Sequence, residues 1–117
     1  MFKNYKKLYK NLVNKIEGLW NFYMEKYKDI NEYNEGYFNA LSDFYVDYLS
    51  KYKVHDQISN IKIINYKKRY LDIVERITNL YFKAADEYKF YGPDDKYIYG
   101  FFDCTRDLIA IIAIVSK

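Results

Sequence analysis

The sequence is poor in the residues that form cross-links, sharp turns and metal sites. Its 117 residues include one cysteine, one histidine, one proline and four glycines. A single cysteine excludes an internal disulfide, and one cysteine with one histidine cannot complete the four-ligand set of a structural zinc site. We therefore predict neither a metal nor a cofactor, and the lone thiol favours a reducing compartment.

Long hydrophobic runs are also absent. A membrane-spanning helix needs about 20 predominantly apolar residues, and the longest uninterrupted run here, Leu108–Val115, is far shorter. The chain starts with polar sequence rather than with the apolar core of a secretory signal. The sequence thus predicts a cytoplasmic protein that does not associate with a membrane.

Catalytic motifs are missing as well. The sequence contains no glycine-rich phosphate loop, no G-x-S-x-G turn and no H-E-x-x-H helix. With a single histidine, His55, a relay between a nucleophile and a base has few candidates. We predict that the protein is not an enzyme.

What the chain does have is an excess of aromatic residues, with 16 tyrosines, eight phenylalanines and one tryptophan. So many tyrosine hydroxyls cannot all be buried with hydrogen-bond partners, so many rings should lie at the boundary between protein and water. Half of the residues are hydrophobic and the net charge is only +3. Length and composition predict a single folded domain over residues 1–117.

The C-terminal run Leu108–Val115 is the most hydrophobic part of the chain. A segment that is apolar on every side should be buried on every side. We predict that it forms the innermost helix of the domain. Its β-branched residues keep a strand open as the alternative for residues 108–115.

Three longer segments have apolar residues at helical spacing, in residues 2–28, 37–52 and 61–91. A last helix should begin at Pro93, since proline suits the first helical position. The predicted fold class is all-α, an antiparallel bundle of about four helices with the C-terminal apolar helix central. The expected reversals are at 29–36, 53–57 and 91–94.

Charge alternates along the chain. Residues 1–29 carry a net +4, residues 30–50 carry −4 and residues 51–76 carry +4. Opposite charges on successive helices would favour the correct neighbours. Alternatively, the two basic segments share one positive surface.

A few polar groups are candidate sites. The pairs Asp43/Asp47 and Asp103/Asp107 have the i, i+4 spacing that places two carboxylates on one helix face, where they could hold a cation or act as acid and base. A solvated helix face is the simpler interpretation of both. The strongest cluster adds Cys104 and Arg106 to the second pair, whereas His55-Asp56 is interpreted as a loop beside a helix cap.

Two stretches combine lysine with tyrosine, in residues 3–10 and 65–70. Cations beside aromatic rings are typical of surfaces that bind nucleic acid. Only three of the 19 basic residues are arginine, the residue that best reads bases and phosphates. Nucleic-acid binding is the alternative function, with Lys6, Lys7, Lys67, Lys68 and Arg69 as its candidate residues.

The function predicted first is a non-catalytic protein-binding module, because tyrosine and tryptophan dominate the energetics of interfaces. The small size, with a lysine- and asparagine-rich composition typical of A+T-rich genes, suggests a phage or mobile-element protein that inhibits a host protein such as a defence nuclease. A surplus aromatic face also predicts a homo-oligomer. The candidate contact residues are Tyr5, Tyr9, Trp20, Tyr23, Tyr27, Tyr66 and Tyr70.

Overall fold

The chain is a helical bundle in its computed structural model, which describes residues 3–26, 31–59 and 63–117. The helices are α1 (Tyr5–Lys26), α2 (Glu32–Phe44), α3 (Ser50–Ser59), α4 (Tyr66–Tyr91) and α5 (Lys96–Val115). A π-helical turn, Tyr45–Leu49, joins α2 to α3 without a break, so that the two helices form one rod. The all-α prediction is confirmed, and the strand alternative for residues 108–115 is wrong.

Short polar side chains begin four of the helices, and the side-chain oxygen of Asn4 accepts a hydrogen bond of 3.1 Å from the backbone N–H of Lys7 at the start of α1. The side-chain oxygens of Asn31, Asn65 and Asp95 accept hydrogen bonds from backbone N–H groups in the first turns of α2, α4 and α5, respectively. Each bond satisfies a donor that has no partner within its own helix. Gly92 follows α4 at a φ of +79°, a left-handed conformation that costs glycine little.

Helices that follow one another run antiparallel. The pairs Tyr81–Phe102 and Tyr88–Tyr99 show this for α4 and α5, because residue numbers rise on one helix as they fall on the other. The same holds for α1 and the α2–α3 rod in Trp20–Tyr45 and Tyr23–Tyr37, and for the rod and α4 in Phe44–Leu80 and Asp56–Arg69.

The helices α2 and α5 approach each other closely at two glycines. A Cβ atom added at Gly36 would lie 2.0 Å from the carbonyl oxygen of Tyr97, and one added at Gly100 would lie 2.0 Å from the carbonyl oxygen of Tyr33. Backbone therefore lies directly against backbone at this crossing. The sequence interpretation assigned Gly36 to a reversal, which is wrong because both glycines are helical contact positions.

The central place of α5 is confirmed, since it contacts α1, α2 and α4. The all-round burial of Leu108–Val115 is wrong. Leu108 and Val115 are buried, whereas Ala110 and Ala113 are exposed and Ile114 is 56% exposed. One face of the run packs on the bundle and the other faces solvent. Within the described ranges, no helix is both long and apolar enough to cross a bilayer.

Two predicted reversals are wrong in position. Residues 53–57 belong to α3, and α2 already begins at Glu32, inside the expected reversal at 29–36. Residues 29–30 lie outside the described part of the chain. The predicted third segment starts late, at Tyr66, and the last helix starts at Lys96 rather than at Pro93. The reversal at 91–94 is confirmed.

Candidate functional site

The two lysine–tyrosine stretches lie far apart in the chain but meet at one end of the bundle. Tyr5 and Tyr9 near the start of α1 contact Tyr70 and Tyr66 near the start of α4, with ring centres 5.9 and 5.5 Å apart. Both helices begin at this end, and neither has an acidic residue in its first turn. Their positive dipole ends therefore add to the charge of the lysines.

Lysines cover the aromatic rings at this contact. The Nζ atom of Lys6 lies 5.9 Å from the centre of the Tyr66 ring, and the Nζ of Lys67 lies 5.7 Å from the centre of the Tyr5 ring. These distances allow cation–π attraction between opposite helices. Each stretch thus supplies the cation for a ring of the other.

We call this surface the lysine face and define it by Lys6, Lys7, Lys10, Lys67 and Lys68, all of which are exposed. Neither residues 3–16 nor residues 63–71 contain an aspartate or glutamate. The Nζ of Lys68 lies 4.0 Å from a carboxylate oxygen of Asp72, which offsets part of the charge. The structure therefore agrees with the interpretation that the basic segments share one positive surface.

Arg69, the fifth candidate for nucleic-acid contact, lies behind the lysine face. It is only 9% exposed, and its guanidinium group donates hydrogen bonds of 2.8 and 2.5 Å to the two carboxylate oxygens of Asp56. The ring centre of Tyr52 is 4.5 Å away. The ion pair raises the pKa of Arg69 and lowers that of Asp56. Arg69 therefore ties α4 to α3 and offers little to a ligand.

The aromatic candidates for protein binding lie in contacts between the helices of this chain. Trp20 stacks on Tyr45 at 4.9 Å, and Tyr23 stacks on Tyr37 at 4.1 Å. Tyr70 is buried, and Tyr27 lies outside the described residues. Most described tyrosines are partly exposed, as the sequence predicted. The tyrosine rings thus pack between the helices while staying partly exposed to solvent.

The carboxylate pair Asp103/Asp107 is part of a clamp between α2 and α5. Tyr33 donates a hydrogen bond of 2.7 Å to Asp103, and Tyr37 donates one of 2.5 Å to Asp107. Because both partners advance by one helical turn, α2 and α5 run in the same direction. Burial, and then the hydrogen bond to the carboxylate, raises the pKa of each tyrosine. These hydroxyls therefore stay protonated and keep donating.

Removing one hydroxyl tests the clamp. We expect Tyr37→Phe to lower the free energy of unfolding by about 1–2 kcal/mol, since Asp107 would lose a hydrogen bond to a charged group. Tyr33→Phe should cost less, because Asp103 also pairs with Arg106. Urea denaturation at neutral pH measures both changes. Equal losses, or none, would contradict this account of the clamp.

The remaining candidates do not assemble into a reactive site. Cys104 is buried, and burial raises the pKa of its thiol, which disfavours the thiolate needed for nucleophilic attack. His55 lies beside Asp56 within α3, so the predicted loop and cap are wrong. Asp43 is exposed, and the side chain of Asp47 is outside the described part. No group of metal-ligating side chains occurs among the described residues.

Two features of the bundle were missed at the sequence level. Asp56 was not recognised as the partner of Arg69, and no local pattern signals a pair between separate helices. The tyrosines of the clamp did leave a signal, since Tyr33/Tyr37 has the same i, i+4 spacing as Asp103/Asp107.

Comparison of the chain with protein-family models, with curated proteins and with solved structures gives no match.

Proposed function

We propose that the protein binds nucleic acid through the lysine face. The observation that carries this proposal is the meeting of the two lysine–tyrosine stretches at the starts of α1 and α4, with ring contacts at 5.9 and 5.5 Å. Exposed cations with little opposing charge attract a phosphate backbone and release its counterions.

The contact should be with phosphates rather than with bases. Lys6 and Lys67 lie over ring faces that a base would need for stacking. The one arginine of these stretches, Arg69, is held by Asp56 and is not free for bidentate contacts with a base. We therefore propose binding without sequence preference, in which lysines act as point charges.

Salt dependence provides the test. With about four phosphate contacts, the slope of log K against log[salt] should be near −3.6 on duplex DNA, so the affinity should fall about 100-fold between about 50 and 200 mM salt. Fluorescence anisotropy with a labelled duplex measures this slope. The double variant Lys6→Gln with Lys67→Gln should reduce the slope by about 2, one for each lost contact.

A matched control changes the same charge elsewhere. Lys83 and Lys96 are exposed and lie toward the opposite end of the bundle. Replacing both by glutamine should leave the slope unchanged. If the two double variants behave alike, or if the protein does not bind the duplex at low salt, the lysine face is not a nucleic-acid surface. Arg69 is excluded from these variants because losing its ion pair would confound binding with unfolding.

A protein-binding role remains the second candidate. The side chains of Phe82 and Phe90, two turns apart on α4, are 60% and 81% exposed. Exposed aromatic rings are enriched at interfaces, including those between copies of one chain. This role predicts a complex that tolerates salt and does not depend on the lysine face. Inhibition of a host protein by a phage or mobile-element product stays a prediction.

A further inference from the structure

A cavity of about 620 Å³ lies between the first turns of α1 and the end of α5, with Tyr70 of α4 in its wall. Its cationic side chains are those of Lys3, Lys7, Lys15 and Lys117. Among the described residues that line it, none is an aspartate or glutamate. Its volume is in the range of small-molecule sites.

The positive charge of the cavity follows from where carboxylates occur in the chain. The first acidic residue is Glu17, and the last is Asp107. The segments that line the cavity lie before the first and after the last, apart from Tyr70, so that the negative end of the α5 dipole is the charge that opposes the lysines there. Ammonium groups gathered around one cavity repel each other and focus a positive potential into it. An anion bound there would relieve this repulsion.

Amide groups and apolar side chains complete the lining. Asn11 and Asn14 supply N–H donors of the kind that bind phosphate oxygens. Leu8, Ile114 and Val115 form an apolar part of the wall. Ile114 belongs to the exposed side of the C-terminal run, so this cavity is where part of that hydrophobic surface meets the lysines.

We propose that the cavity binds a phosphomonoester joined to a flat aromatic ring, such as a nucleobase. A phosphomonoester carries a charge of about −1.5 to −2 at neutral pH and has three acceptor oxygens. It therefore matches several lysines better than the single charge of a phosphodiester. The ring would lie against Ile114 and Leu8. Free mononucleotides and the 5′-phosphorylated end of a strand both present this chemistry.

This site is distinct from the lysine face. It uses Lys3 and Lys15, which are outside that face, and shares only Lys7 with it. Binding in the cavity can therefore be lost while duplex binding persists, and the reverse also holds.

Isothermal titration calorimetry with 5′-AMP, adenosine and inorganic phosphate tests the proposal. We expect 5′-AMP to bind at least about 10-fold more tightly than adenosine, the size of one charge-assisted hydrogen bond. It should also bind more tightly than inorganic phosphate does, because only 5′-AMP has a ring to place on the apolar wall. Equal affinity for 5′-AMP and either of the other probes would overturn the proposal.

Three variants locate the site. The double variant Lys7→Gln with Lys15→Gln should lower the affinity for 5′-AMP about 10-fold or more. Ile114→Ser should lower the affinity for 5′-AMP while leaving the affinity for inorganic phosphate unchanged. The exposed pair Lys83→Gln with Lys96→Gln should have no effect. Loss of 5′-AMP binding in this control, or its retention in Lys7→Gln with Lys15→Gln, would overturn the assignment.

Two oligonucleotides of one sequence, with a 5′-phosphate or a 5′-hydroxyl, separate the two sources of ligand. A preference for the phosphorylated strand that disappears in Lys7→Gln with Lys15→Gln supports a strand end. Binding of 5′-AMP without such a preference supports a free nucleotide. If neither 5′-AMP nor the 5′-phosphate is recognised, the cavity proposal fails, even where the salt-dependent duplex binding is observed.

Discussion

Gly100→Ala is expected to lower the free energy of unfolding by about 3 kcal/mol or more and the Tm by on the order of 10 °C. The new methyl group would lie 2.0 Å from the carbonyl oxygen of Tyr33, a backbone atom that cannot rotate away. The helices α2 and α5 would have to separate, which would weaken the clamp formed by Tyr33 and Tyr37. Gly36→Ala should act in the same way through the carbonyl oxygen of Tyr97.

Gly18→Ala is the matched control. Gly18 is exposed within α1, and a Cβ atom added there meets nothing within 4 Å. Alanine should stabilise the helix by about 1 kcal/mol because it loses less backbone entropy on folding. The same substitution should therefore have opposite signs at the two positions. Thermal unfolding followed by circular dichroism measures both, and equal shifts would show that α2 and α5 are not in close contact.

Arg69→Met is expected to cost about 2–4 kcal/mol of stability. Removing one partner of a buried ion pair costs about 3–5 kcal/mol, and we place the value lower because Asp56 keeps partial access to water. The guanidinium group joins Asp56 and the rings of Tyr52 and Tyr9, so its loss loosens α3 and α1 as well as α4. Urea denaturation at neutral pH measures the change.

A second substitution, at Asp56, tests how much of this loss comes from leaving its carboxylate without a partner. Replacing Asp56 by leucine in the Arg69→Met background should recover much of the loss, because two apolar side chains can substitute for a buried pair. The pKa of Asp56 is lowered by its hydrogen bonds to Arg69. The stability that Asp56 contributes is therefore fully present when the pH is above the ordinary aspartate pKa of about 3.9, and it is lost as the pH falls further. Arg69→Met should lack this part of the acid destabilisation.

Periodicity predicted α1 well, because a single stripe of apolar residues continues through the whole helix. The end of α4 was equally clear, since Gly92 supplies a left-handed conformation and Pro93 cannot extend the helix. Each of these signals is local. The structure confirms both, since α1 spans Tyr5–Lys26 and α4 ends at Tyr91.

The reversal expected at 53–57 failed for a physical reason. His55 and Asp56 are typical of loops and caps, but in α3 the carboxylate of Asp56 faces Arg69 rather than its own backbone. A charge on a distant helix thus determines the role of Asp56. The crossing of Gly36 and Gly100 was equally hidden, because a glycine that permits close contact looks in sequence like one that weakens a helix.

The candidate surface was predicted in its parts but not in its arrangement. Residues 3–10 and 65–70 stood out by composition, and the structure places them side by side. Because neighbouring residues of a helix point in directions about 100° apart, the basic residues of one stretch do not all face solvent. Lys67 and Lys68 face outward, whereas Arg69 points into the bundle. The cavity beside Lys15 and Ile114 had no signal in sequence, because it is formed by opposite ends of the chain.

The π-helical turn at Tyr45–Leu49 changes the direction in which the side chains of α3 point relative to those of α2. Ser50 donates its backbone N–H to the carbonyl of Tyr45, five residues back, so one extra residue is accommodated in the turn. Each helical residue rotates by about 100°, and everything after the insertion is turned by that angle. A chain that formed a regular α-helix through Tyr45–Leu49 would keep its helicity and its hydrophobic content. Its α3 would nonetheless aim Asp56 at the wrong neighbour, so alignment, more than helix formation, is what this turn secures.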